Sequence, residues 1–89
     1  MSGDVGRLDC HLLRTLLVTR CDFDPGALSL EDRLDEVQLW GFNLLCAMSV
    51  LENVFEIDFP TDLISAIERV DDLVHFTNLK IDQRSTGAA

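Results

Sequence analysis

The stretch from Leu34 to Pro60, LDEVQLWGFNLLCAMSVLENVFEIDFP, constrains the fold of this chain more than any other. An acidic lead-in ends at Val37-Gln38-Leu39. A mainly apolar run starts at Trp40 and lasts to the acid-flanked Ile57 and Phe59, where Pro60 closes it. The spacing predicts one central helix over about residues 41–55, with Leu44, Met48, Leu51 and Phe55 on a single core line. Ser49, Glu52, Asn53 and Glu56 fall on the far side. Between them lie Ala47, Val50 and Val54, with Cys46 at the edge, so the apolar arc is wider than one contact face requires. The core line is expected to hold the fold, and the side line to be available to a partner.

Upstream, Val5, Leu8, Leu12, Leu13, Leu16 and Leu17 recur at spacings of three and four over residues 5–20, which predicts a first helix capped by Ser2 or Asp4. Asp22-Phe23-Asp24-Pro25-Gly26 ends it, because Pro25 disfavours helical geometry at Asp24 and Gly26 relaxes the backbone. Residues 27–39 hold isolated apolar positions, Leu28, Leu30, Leu34, Val37 and Leu39, among acids. They read as a long loop pinned by its leucines, with one helical turn at 31–36. A connection of that length in a small domain usually has a functional reason. Downstream, Thr61-Asp62 is expected to cap a short helical segment through Leu63, Ile64 and Ile67. A last helix over about 70–78 uses Val70, Leu73, Val74 and Phe76 or Thr77, and residues 80–89 are expected to fray. The fold class is therefore all-α: a bundle of three main helices and one short one, with a long loop between the first and second helices.

The 89 residues allow one domain, 1–89, with a modest core. The longest apolar run, Leu44 to Met48, is far too short to span a membrane. A formal net charge of −9 disfavours nucleic acid and anionic lipid and favours a basic partner. The acids are concentrated: residues 22–39 hold six against one arginine, and residues 61–76 hold four against one. Acids at Asp4 and Asp9, with no signal-like apolar segment, and an odd count of three cysteines without metal spacing lead us to expect reduced thiols in the cytoplasm.

Catalytic patterns are missing from the sequence. His11 and His75 are far apart, and Cys10-His11 is adjacent rather than at the three- or four-residue spacing that shares a metal on a helix. A cysteine nucleophile needs a base placed beside it, and His75 could approach Cys46 only by an accident of the fold; there is no glycine-rich phosphate loop. Asp35-Glu36 and Asp71-Asp72 read as solvated loop or helix-start charge. We expect neither an enzyme nor a metal site.

Asp35-Glu36-Val37-Gln38-Leu39-Trp40-Gly41-Phe42, then Leu51-Glu52-Asn53-Val54-Phe55, then Phe59-Pro60, resembles the acyl carrier protein family in joint spacing. The resemblance covers roughly residues 5–79, continuing through Ile67, Val70 and Val74. It implies a four-helix carrier fold and, in the family, a phosphopantetheine arm on a serine that opens the second helix after an aspartate. Here the serine position is Gly41 and the aspartate position is Trp40, while Gln38 stands where the family has a turn glycine. Glycine offers no side-chain oxygen, so no phosphodiester can form there and no cofactor is expected. Several acids that carriers display on this helix are replaced by Asn43, Cys46, Asn53 and Val54, with Glu52 the main one left.

The resemblance and the lost acceptor together lead to an expected function. The chain is read as a non-carrying, carrier-like structural or regulatory partner of a fatty-acid, polyketide or related biosynthetic enzyme. Its docking residues are expected to be Trp40, Ala47, Val50, Glu52 and Val54, with self-association through the central helix as a further use of that face. Trp40 is the expected anchor, tryptophan being enriched in binding hot spots; the competing reading has it fold back over Leu39 and Phe42 as a plug. Phe42 is expected in the core, as the family's leucine would be. The alternatives are a working carrier loaded elsewhere, at Ser49 or Cys46, and a helical adaptor unrelated to acyl transfer.

Overall fold

The chain enters its first helix at Asp9, whose carboxylate accepts from the Leu12 N–H at 2.8 Å and so caps α1, Cys10–Arg20. This computed structural model describes residues 6–87, with side chains to Arg84. The helix starts later than the apolar spacing suggests because Leu8 has another partner. Its N–H donates to Asn78 Oδ1 at 2.7 Å, and Asn78 Nδ2 donates back to its carbonyl at 3.0 Å. Leu8 is buried, but as a non-helical residue held against the last helix. The expected positions at Ser2, Asp4 and Val5 lie outside the described residues.

Leu13, Leu16 and Leu17 carry the buried face of α1. Past its end, Asp22 takes a left-handed φ of 55°, which terminates the helix. Arg14 then reaches Asp24 at 3.1 Å, and the Gly26 N–H donates to the same carboxylate at 2.9 Å. Arg14 and the Gly26 N–H hold the Asp24 carboxyl below its ordinary range.

The long loop is real, and it is anchored more firmly than its sequence suggests. Leu34 and Leu39 are fully buried, with Leu28 and Val37 packed against the core. The expected pin at Leu30 is absent, since that side chain is exposed. Its carbonyl instead accepts from the Asp71 N–H at 3.0 Å, and the Asp32 carbonyl accepts from the Val70 N–H at 2.9 Å. Those two donors open the last helix, where a helix has no carbonyl of its own to offer. In return, the Leu34 N–H donates to the Glu68 carbonyl at 2.9 Å, and Arg33 and Arg69 form an isolated antiparallel bridge.

The central helix α2, Phe42–Phe55, matches its expected bounds, and Leu44, Met48, Leu51 and Phe55 are all buried as the core line. It stops at Glu56, left-handed at φ 56°, while the Arg84 guanidinium donates to the Phe55 carbonyl. The Glu52 carboxylate accepts from the Phe59 N–H at 2.8 Å, tying the exit loop to the helix that precedes it. A single turn, α3, Leu63–Ala66, follows; Asp62 precedes it but makes no side-chain capping bond, contrary to expectation.

The last helix, α4, Val70–Gly87, runs well past the expected end at residue 78. Residues 80–87, expected to fray, are helical for identifiable reasons: Ile81 is buried, Asp82 pairs with Arg7, and Arg84 bonds the end of α2. Residues 88 and 89 lie outside the described residues. At the start of α4, Asp72 is helix-start charge that caps, accepting from the Glu68 and Arg69 N–H groups at 2.9 and 3.1 Å. Among the described residues there are four helices and no strand, and no helix is long and apolar enough to cross a membrane.

The anchored loop makes a testable demand. Leu39→Ala should lower the unfolding free energy by about 2–5 kcal/mol, as a buried core truncation does, measured by urea denaturation. A loop that merely drapes over the bundle would lose less than about 0.5 kcal/mol.

Candidate functional site

The junction between loop and central helix is shaped by two backbone positions. Gln38 has a φ of 64°, left-handed geometry that costs a non-glycine residue about 1–2 kcal/mol. Its carbonyl accepts from Asn43 Nδ2 at 3.0 Å, so the turn is fastened to the first turn of α2. Gly41 has φ 59° and ψ −128°, a conformation open in practice to glycine alone. It caps α2 without a side-chain hydrogen bond, and its carbonyl takes the first helical bond, from the Leu45 N–H at 3.0 Å. A Cβ at Gly41 would meet no atom within 4 Å, so the requirement for glycine comes from the backbone and not from crowding.

Around this junction the surface is apolar. Trp40 is 53% exposed, Phe42 81% and Leu45 52%. Phe42 thus stands outside the core, contrary to expectation. It lies two residues, about 200° of helical rotation, before Leu44, which puts it opposite the core line. Trp40, next to the fully buried Leu39, keeps about half of its surface open to solvent and is not a core residue. Leu45 completes the set one turn on from Phe42; that three-residue spacing was readable in the sequence, but Leu45 had no place in the expected docking set.

The expected side line separates into unlike positions. Ala47 is 1% exposed and packs in the core, so it cannot meet a partner. Val50 is half-buried against the core, and Val54 is 37% exposed. Val54 also lies twelve residues from Phe42, about 18 Å along the axis, and so belongs to the far end of the helix. Glu52 is partly buried and engaged with the Phe59 N–H. The structure therefore gathers Trp40, Phe42 and Leu45 at the start of α2, and leaves Val50, Glu52 and Val54 further along.

Charge frames the junction on the loop side, where Asp35 and Glu36 are exposed. Asp35 pairs with Arg33 at 3.3 Å, an exposed contact of little energetic weight. Of the alternative attachment positions, Ser49 is exposed on α2, whereas the Cys46 thiol is half-buried and donates to the Cys21 sulfur at 2.9 Å. Among the described residues, no three or more histidine, cysteine or acidic side chains converge as a metal site.

Compared with known protein families, with characterised proteins and with solved structures, the chain finds no match.

Gly41→Ala should destabilise the protein by about 1–3 kcal/mol in urea denaturation, although the added methyl has room, because the backbone conformation itself excludes it. A change within about 0.5 kcal/mol would mean that the junction relaxes to an ordinary helix cap.

Proposed function

We propose that this chain is a cytoplasmic, non-enzymatic docking module: a protein with the architecture of an acyl carrier protein that bears no phosphopantetheine arm and acts by binding a biosynthetic enzyme. The observation that carries the reading is the junction. The turn is left-handed at Gln38, where the family resemblance puts a glycine. The helix then opens on Gly41, where the resemblance puts the acceptor serine, and the residues on either side are exposed aromatics. Element order supports the same reading: one helix, a long loop, a central helix, a single-turn third helix and a final helix. The place where a carrier is loaded has become an apolar surface.

On this reading Trp40 and Phe42 are the anchors, with Leu45 extending them. Aromatic side chains bring large apolar area at little entropic cost, and exposed aromatic clusters of this kind mark contact surfaces more often than chance. The acids at Asp35 and Glu36 beside them suit a partner whose rim is basic and whose centre is apolar. A carrier loaded at another residue is the competing reading, with exposed Ser49 as its best acceptor.

Two measurements test the proposal. Incubation with coenzyme A and a broad-specificity phosphopantetheinyl transferase should leave the intact mass unchanged, and a mass gain mapped to Ser49 would establish the carrier reading instead. Against a purified carrier-dependent biosynthetic enzyme bound by the wild-type chain, Trp40→Ala and Phe42→Ala should each weaken affinity by about 2 kcal/mol or more. Each should shift the unfolding free energy by less than about 1 kcal/mol, since the exposed rings contribute little to the core. Undiminished binding by both variants would place the contact surface elsewhere.

A further inference from the structure

The two half-buried cysteines that face each other between α1 and α2 have no part in the docking reading. Cys21 follows the last residue of α1 and its N–H closes that helix onto the Leu17 carbonyl, while Cys46 sits on the second turn of α2. Their sulfurs are 2.9 Å apart. A disulfide needs about 2.05 Å, so the bond requires the two sulfurs to close by less than about 1 Å, within reach of a small side-chain rotation. Cys21 caps α1 and packs against the core, and Cys46 lies within α2, so the approach is built into the fold rather than produced by a mobile segment. The third cysteine is excluded by distance: Cys10 opens α1, eleven residues before Cys21 and about 16 Å away along the axis.

We propose that Cys21 and Cys46 form a reversible disulfide, made by exchange with a low-molecular-weight disulfide such as glutathione disulfide, which ties the end of α1 to the second turn of α2.

The chemistry balances in two exchanges. The Cys46 thiol gives up its proton, its sulfur attacks one sulfur of the incoming disulfide, and one molecule of the small thiol departs. Cys21 acts second; in the dithiol form its pKa is pushed up to about 12, by burial first and then by the neighbouring Cys46 thiol. Once Cys46 is in mixed disulfide its thiol proton is gone, and with it that part of the effect. Cys21 then loses its proton, attacks the Cys46 sulfur, and the second small thiol leaves. Two protein thiols are oxidised and one small disulfide is reduced to two thiols.

The bond closes the loop of residues between Cys21 and Cys46 into a ring that includes the left-handed Gln38, Gly41 and Phe42. It restrains the unfolded chain over that length, so the oxidised form should be the more stable one.

The test uses the unaltered 89-residue chain, equilibrated near pH 8 at graded ratios of glutathione disulfide to glutathione. It is then quenched in acid, alkylated, and analysed by intact mass and peptide mapping. The expected result is a species with a single alkylated thiol at Cys10 and a cross-linked peptide joining Cys21 to Cys46, with Cys10→Ser giving the same midpoint within about twofold. Oxidation should also raise the melting temperature by about 10 °C or more, a shift that Cys46→Ser abolishes. Three alkylatable thiols at every ratio, glutathione adducts that persist on Cys46, or bridges to Cys10 would each overturn the proposal. So would a melting temperature unchanged or lowered on oxidation, since the bond would then not fit the folded chain.

Discussion

The last helix of this protein begins on donors that it cannot satisfy by itself, and the long loop satisfies them. The Val70 and Asp71 N–H groups are bonded by the carbonyls of Asp32 and Leu30, and the Leu34 N–H returns a bond to Glu68. Leaving the donor of the buried Val70 without a partner would cost about 1–3 kcal/mol. A loop rich in acids thereby acquires a fixed position. Leu34 and Leu39, both fully buried, set its register on either side of a tight turn in which the Leu39 N–H bonds the Leu34 carbonyl at 2.8 Å. With Leu39 turned into the core, Trp40 is turned out, and the start of α2 follows with Phe42 on its outer side. The exposed aromatics are in this sense a product of the loop's anchoring.

Much of the fold could be read from the sequence, and the parts that could not share a cause. The central helix and its core line followed from 3.6-residue spacing, because a single long apolar run has few other solutions. The end of α4 did not, since what keeps residues 80–87 helical is one buried isoleucine and two long-range contacts, Arg7 with Asp82 and Arg84 with the Phe55 carbonyl. The start of α1 was displaced by a partner 70 residues away, the amide of Asn78. The capping role of Asp9 is not visible in its local sequence, and that of Asp72 is one of two readings its sequence leaves open. Local periodicity reports what a segment can bury; it does not report which distant group will claim its backbone.

The junction offers the sharper lesson. Phe42 was placed in the core through the family's leucine, whereas helical rotation from Leu44 puts it outside, and the rotation prevailed. Ala47 lies between the core line and the polar side of the helix in the sequence pattern, yet it is buried. Cys46, four residues after Phe42, sits at the margin between these regimes, with its thiol against Cys21 and the exposed aromatics one turn away. A bond between those cysteines would tether the helix that presents the aromatics to α1. The oxidation chemistry and the docking surface nonetheless rest on separate observations and can fail separately.

Everything at the junction depends on the loop being part of the folded core, and amide hydrogen exchange measures that residue by residue. The account requires the Leu34, Leu39 and Val70 amides, each in a backbone bond made or enclosed by the loop, to exchange only through global unfolding, with protection equal to that of Leu51 in α2. Exchange at those three amides much faster than at Leu51, through local opening, would contradict it and leave Trp40 and Phe42 on a segment that the fold does not hold in place.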